Sequence, residues 1–366
     1  MVTDAGGSGA VADIDELLAH RSALLVVGPG GVGKTTLAAA LAARAAQRHG
    51  RRVLVVTVDP ARRLAEALGV EQVPADPVLV PVKPQGKGAP AGRLWALMVD
   101  MSRSWDELVR RHGPGPAEIE ALLANPLYRS LTTRFVQSHD YIALDLMCDL
   151  ADDDRYDLVV IDTPPSTHAI DNLDAPGRMV EFFDSRLLRW LIAPYQTRLA
   201  RATAKPFLAV AERLLGQGFL AGIAEFFWLF VQLRPSLVAR SMEVGRRLDD
   251  PATGYVLVTT AEPAALEASG LLLDELATRG HGPDVVLHNR ALPAVPPGAV
   301  AAEVVEGSVH DPELARAMTD LLRHDQTLAA LRRRASAGGP TGLAVRPVDW
   351  QPGTVNTVSQ LLALLD

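Results

Sequence analysis

A single cysteine, Cys148, stands in a chain of 366 residues. That scarcity excludes an intramolecular disulfide and any Cys-x-x-Cys metal half-site, and it predicts a reducing cytoplasm as the compartment. Lysine is nearly as rare: Lys34, Lys83, Lys87 and Lys205 are four of 36 basic residues, so arginine is the default cation and each lysine calls for a reason. Positive charge is not in excess, because 43 acidic residues bring the net charge to -7. A general electrostatic grip on nucleic acid is thereby disfavoured. Long apolar runs are missing as well. The longest, Phe219 to Leu233, is interrupted by Glu225 and falls short of the roughly 20 residues a bilayer span needs. The first twenty residues carry Asp4, Asp13, Asp15 and Glu16 where a signal peptide would need an apolar stretch. A soluble, cytoplasmic chain with no stable membrane span and no nucleic-acid partner is the expectation.

What is present is a globular composition, 48% hydrophobic and 22% charged, which excludes wholesale disorder, collagen and a coiled coil. Residues 1–20 read as a Gly/Ala-rich extension followed by a short helix from Asp13 to His20. Short apolar runs then recur at Leu24–Val27, Val53–Val58, Leu94–Val99, Leu158–Ile161, Tyr255–Val258 and Val285–Leu287, and a short strand is expected near Leu343–Val348. Segments of helical period separate most of them. Apolar strands alternating with helices predict an α/β fold with a mostly parallel sheet covered on both faces. Between Asp174 and Asp250 the alternation stops, and helices broken at Pro194, Pro206, Gly216 and Pro235 take over. This predicts an α/β core over 21–173 and 251–366 with a helical insertion over 174–250. A smaller helical patch runs from Ser104 to about Leu150, with Ser104 and Glu107 spaced as a capping box. Leu79 to Gly92 reads as a surface loop, and further helices are expected at Asp311–Ala335 and Val355–Leu365.

The sharpest signal is Gly28-Pro29-Gly30-Gly31-Val32-Gly33-Lys34-Thr35, which fits G-x-x-x-x-G-K-[ST] between an apolar strand and a helix. Composition alone gives about 0.003 chance matches, so an incidental glycine turn is a poor explanation. Glycines let successive N–H groups point inward at phosphate oxygens, and the following helix adds its positive end. Gly28, Gly30, Gly31, Val32, Gly33, Lys34, Thr35 and Thr36 are therefore expected to hold a nucleotide. Lys34 would neutralise the β- and γ-phosphates, and the Thr35 hydroxyl would ligate Mg²⁺.

Two later strands end in carboxylates, at Val58-Asp59-Pro60 and Ile161-Asp162-Thr163. The carboxyl ends of strands border the ligand crevice of an open parallel sheet, so both acids are expected beside the phosphates. A strand-ending Asp is also a common helix N-cap, which leaves either acid a purely structural alternative.

At these segments the chain resembles the ArsA-type ATPases, the family of the arsenite-pump ATPase and of the cytosolic ATPase that targets tail-anchored membrane proteins. The glycine loop resembles its P-loop, Val58-Asp59-Pro60-Ala61 its switch I, Asp162-Thr163-Pro164-Pro165-Ser166-Thr167-His168 its switch II, and Leu287-His288-Asn289-Arg290 its adenine-reading segment. The resemblance implies a P-loop NTPase fold and hydrolysis of ATP with magnesium. It also implies that Asp59 orients or activates the attacking water, that Asp162 holds the magnesium shell through water, and that Asn289 contacts the base.

Three departures accompany it. Pro29 stands where the family usually carries an extra lysine that reaches across a dimer; the paired cysteines of the targeting ATPase are absent; so is the arsenite-sensing cysteine cluster. The implied partner is a second copy or a lysine-bearing paralogue. Phe219, Phe226, Phe227, Trp228 and Phe230 in the insertion suit either a helical core or an apolar surface for a protein client. A regulatory or scaffold subunit with little hydrolysis stays an alternative, as does a ParA/MinD-like partitioning ATPase. The closing stretch Val355 to Asp366 lacks the basic residues of an amphipathic anchor and disfavours the last.

Overall fold

Apolar runs that can be buried on both faces form the centre of the molecule. The computed structural model describes residues 14–59, 62–85, 92–129, 137–164, 219–278, 282–292 and 344–366, with isolated positions at 177, 181, 326, 329 and 333. His168 and most of the expected helix over Asp311–Ala335 lie outside the described residues.

Eight strands make one sheet: β1 (Ala23–Val27), β2 (Arg52–Thr57), β3 (Val78–Val80), β4 (Arg93–Met98), β5 (Leu158–Asp162), β6 (Thr253–Thr259), β7 (Val285–Ala291) and β8 (Ala344–Asp349). Their order is β3-β4-β2-β5-β1-β6-β7-β8, parallel throughout except for β3, which runs antiparallel to β4. The mostly parallel α/β sheet predicted from the apolar runs is the observed one. Every residue of β1, β5 and β6 is buried, as central strands covered on both faces require. β3 is a correction, since Leu79 and Val80, at the start of the segment read as a loop, belong to it. Its three residues have no period to display, and pairing with β4 alone makes them a strand.

The chain leaves β1 to build strands on one side and returns to build β6 to β8 on the other. The crevice at the carboxyl end of β1 is thus a topological switch point, where open sheets of this kind bind ligands. Helix α2 (Lys34–His49) starts there. Its alanines 38–40, 42, 43, 45 and 46 are all fully buried, which lets the backbone lie close on the sheet. No side chain caps its N-terminus, where Gly33 stands, so the first amides keep their donors for another acceptor. Around it pack α1 (Ile14–His20), α3 (Arg63–Leu68) and α10 (Val358–Ala363), the last numbered after the helices below. The Thr357 hydroxyl accepts from the Gln360 amide at 3.3 Å and the Gln360 carboxamide accepts from the Asn356 amide at 3.0 Å, a reciprocal cap that starts α10 three residues later than expected.

The chain groups into two compact units, one of residues 1–98, 150–170 and 251–366 and the other of 99–149 and 171–250. The second is helical where it is described: α4 (Met101–His112), α5 (Pro116–Ala124), α6 (Gln137–Ala151, whose end enters the first unit), α7 (Phe219–Gln232) and α8 (Arg234–Leu248). Helix α9 (Pro263–Thr278) belongs to the first unit. Within the second unit the Arg240 guanidinium is buried and donates to Asp145 at 2.7 Å and to Asp149 at 2.6 Å. Phe226 and Phe230 are buried and stacked at 5.3 Å, whereas Trp228 is 43% exposed. The proposed capping box is corrected: Asp100 caps α4 by accepting from the Arg103 amide at 3.0 Å, and Ser104 lies inside the helix. Among the described residues, no helix is long and apolar enough to cross a membrane.

The rear of α2 is tied by charge. The Arg44 guanidinium grips Asp15 through two bonds of 2.8 and 2.7 Å, and His49 lies 3.1 Å from the same carboxylate. The Arg44 bond, with His49 and the Arg48 charge adding to it against burial, holds the Asp15 carboxyl down at about 2 rather than 3.8. That depression contributes about 2 kcal/mol above pH 4. Asp15→Asn should therefore destabilise the chain by about 2 kcal/mol in urea titrations at pH 7. The deficit should fall to roughly half at pH 3, because the parent loses the contribution as pH drops from the unfolded towards the folded value. An equal deficit at both pH values would show that the pair contributes packing and not charge.

Candidate functional site

The glycine loop turns sharply out of β1 because three of its glycines take positive φ: Gly28 at 146°, Gly31 at 80° and Gly33 at 93°. Gly28 is also sterically obligatory, and Gly33 is closely approached by a side chain. A Cβ on Gly28 would stand 2.2 Å from the Val258 carbonyl oxygen of β6, and one on Gly33 would stand 2.3 Å from Nδ2 of Asn289. Gly30 lies exposed at the crest. Val32 is buried, and its carbonyl accepts from Asn289 Nδ2 at 2.8 Å, which pins the loop to the end of β7.

Lys34 is 6% exposed and curls back so that its ammonium donates to the Gly28 and Pro29 carbonyls, each at 2.8 Å. Burial pushes this ammonium down to about 8 from 10.5, against the opposing pull of Asp162 and Asp59. The hydroxyl of Thr35 donates to Asp162 Oδ2 at 2.7 Å, and the hydroxyl of Thr57 donates to the same oxygen at 2.9 Å. Thr57 also accepts from the Asp59 amide at 3.2 Å, so one threonine ties both acidic strand ends together. Register explains this: Thr57 of β2 stands directly beside Asp162 of β5. Asp162 is 2% exposed, and burial pushes its carboxyl upward despite those two bonds and the Lys34 charge. Its other oxygen, Oδ1, is buried without a hydrogen-bond partner.

A cavity of about 540 Å³ opens over these groups, within the first unit. Such a volume suits a small organic ligand. Gly31, Gly33, Lys34, Thr35 and Thr36 form its floor, Asp59 and Asp162 one wall, and Asn289 another. Gly28, Gly30 and Val32 shape the loop from behind instead of lining the cavity. Asn289 uses one amide hydrogen on Val32, and its oxygen accepts from the Arg290 amide at 2.9 Å. A carboxamide has two hydrogens and two lone pairs, which leaves capacity for a further partner.

Sequence reasoning overlooked Thr57 and the wall formed by Asp349, Trp350 and Gln351. The Trp350 amide donates to the Ala291 carbonyl at 2.9 Å, which places this tryptophan just beyond the paired ends of β7 and β8. A signal existed, since a segment that follows the carboxyl end of a strand faces the crevice. The order of strands in the sheet, which determines that β2 neighbours β5, has no such signal.

Among the described residues no cluster of three or more His, Cys, Asp or Glu could cage a metal. The Thr35 hydroxyl and the orphaned Asp162 oxygen are hard oxygen donors, which fit a magnesium ion that arrives with phosphates and keeps several waters. Folding Lys34 in its charged form opposes stability below pH 8, because the unfolded chain holds that proton to about pH 10.5. Lys34→Met should accordingly raise stability at pH 7, by up to about 3 kcal/mol, and the gain should narrow as pH climbs from 8 to 10.5. Denaturant titrations at pH 7 and 10 check it; a loss of stability at pH 7 would overturn the reading.

Comparison with known proteins gives the chain a family. A family model described as an anion-transporting ATPase, the ArsA ATPase model, matches residues 21–203, half of the chain. The uncharacterized protein SCO2128 of Streptomyces coelicolor is 30% identical over 274 residues, covering 74% of this chain and 62% of that protein. An arsenical pump-driving ATPase of Escherichia coli is 29% identical over 170 residues, 44% of this chain and 27% of its own. An ATPase ASNA1 homolog of Paramecium tetraurelia is 25% identical over 160 residues, 43% of this chain and 44% of its own. The chain thus spans between about a quarter and 62% of the length of these relatives. With half its length matched by the family model, the chain belongs to the ArsA ATPase family.

Proposed function

We propose that the chain binds ATP with magnesium in the cavity above the glycine loop and hydrolyses it to ADP and phosphate. The observation that carries this reading is the convergence of Lys34, the uncapped start of α2, and Asp162 with its orphaned oxygen on one pocket. Loop amides and the Lys34 ammonium bind the β- and γ-phosphates, leaving the Gly28 and Pro29 carbonyls as the ligand enters. Thr35 and Asp162 would hold the magnesium ion, the latter through water; bound there, the ion supplies charge neutralisation at the phosphate oxygens. Asn289, with Thr36 nearer the phosphates, places the nucleoside. Asp59 accepts a hydrogen bond from a water and aims its oxygen at the γ-phosphorus. The water gives a proton to the Asp59 carboxylate as the new P–O bond forms and the bond to the bridging oxygen breaks, and ADP leaves with that oxygen.

The chain acts as one half of a dimer, with a second copy or a lysine-bearing paralogue, and nucleotide state governs how it handles a protein client through its helical unit. The names of the Escherichia coli and Paramecium relatives support an ATPase, and Pro29 supports a partner or a second cation of its own. Isolation with a non-hydrolysable ATP analogue tests the assembly; recovery only as a monomer would discard it.

Calorimetry with MgATP should give a one-site binding isotherm for the parent and no heat for Lys34→Ala. Asp59→Asn should bind ATP as the parent does and lose turnover by about 10² or more, the typical contribution of a group that handles the attacking water's proton. Turnover equal to that of the parent would remove Asp59 from the reaction.

A further inference from the structure

The glycine loop brings one cation to the cavity, Lys34, because Pro29 has no donor to offer. Around it stand four carboxylates: Asp59, Glu66, Asp162 and Asp349. A magnesium triphosphate carries net negative charge, and Lys34 alone does not balance both it and this wall. We infer that Arg63 is the second phosphate-binding cation, a catalytic residue that clamps the γ-phosphate beside Asp59. This assignment rests on the ATP-binding reading above and adds to it.

Arg63 opens α3, four residues after Asp59 in the chain, and lines the same cavity as Lys34, Thr35 and Asp162. Its Nη1 donates to Asp59 Oδ2 at 3.1 Å. The guanidinium is 61% exposed, whereas the Asp59 carboxylate is 17% exposed, so the cation lies on the open side of the acid. Arg63 and Lys34 line the same cavity, and two positive groups there suit an anion between them.

Chemistry points to arginine in particular. A guanidinium carries five N–H donors in a planar fork, so one edge can hold Asp59 while another receives a phosphate oxygen. The acid that aims the water and the group that fixes the γ-phosphorus would then be joined through a single rigid side chain. The other arginines are placed less well. Arg62 precedes the helix, is exposed and is not part of the cavity wall. Arg290 lines the rim, but it donates to the Gly31 carbonyl at 3.3 Å and lies 3.9 Å from Glu262, at the Asn289 end of the pocket.

Calorimetry of the full chain with MgATP and with MgADP, for the parent, Arg63→Ala and Arg63→Lys, tests the assignment. Arg63→Ala should weaken ATP about tenfold to a hundredfold and leave ADP within about threefold, since a charge-assisted bond to the terminal phosphate is all that is lost. Arg63→Lys should recover part of the ATP affinity, and single-turnover hydrolysis should follow the same order. Equal changes for both nucleotides, or none, in a chain that binds ATP would overturn the role of Arg63 and leave the ATP reading intact. A parent that binds neither nucleotide would overturn both. Because the side chain is exposed, both variants should melt within a few degrees of the parent, and unchanged ATP affinity in Arg63→Lys and Arg63→Ala alike is decisive against the proposal.

Discussion

The hydroxyls of Thr35 and Thr57 meeting on one oxygen of Asp162 form the contact on which the site depends. It joins the first turn of α2, the end of β2 and the end of β5 at a single atom. A buried carboxylate is costly unless it is paired or hydrogen-bonded, and two short donors supply that for Oδ2. They supply nothing for Oδ1. The arrangement is therefore half satisfied, which is a poor way to build a core and a good way to build a place where a cation-bearing ligand is preferred to none. The folded-back Lys34 has the same character: its ammonium is satisfied by two carbonyls of its own loop, close enough to release them when better acceptors enter.

Much of the fold could be read from the chain because central strands covered on both faces must be apolar without interruption. Val53 to Val56, Leu158 to Ile161 and Val256 to Val258 are such runs, and each proved to be a central strand. Edge elements are less readable. Three residues of β3 carry no pattern of their own, and the start of α4 was misplaced because Asp100, not Ser104, reached the open amide. The Thr357 and Gln360 cap shows the converse, a reciprocal pair that was written in the sequence and passed over because the apolar residues before it, Val355 among them, suggested an earlier start.

The site divides in the same way. Its loop was legible since glycine spacing followed by Lys34 and Thr35 has a direct steric and electrostatic meaning. Asp59 and Asp162 were legible as strand-ending acids. Thr57 and Trp350 depend on the order of strands and on where loops fold back, which are properties of the whole sheet, whereas Arg63 stands four residues from Asp59 and its nearness to that acid could be read from the chain. The family match covers the glycine loop, Asp59 and Asp162, while Asn289, Asp349 and Trp350 of the same pocket lie beyond it.

One close approach has a mechanical meaning. With no side chain on Gly28, the loop's first residue sits directly against the backbone of Val258, leaving no compressible layer between them. Any sideways slip of β6 relative to β1 would push straight on the root of the phosphate loop. Residues that follow β6, including Glu262 beside Arg290, are thereby geared to the bend itself, and a disturbance arriving along that strand would reach the nucleotide pocket as displacement and not as a diffuse loosening.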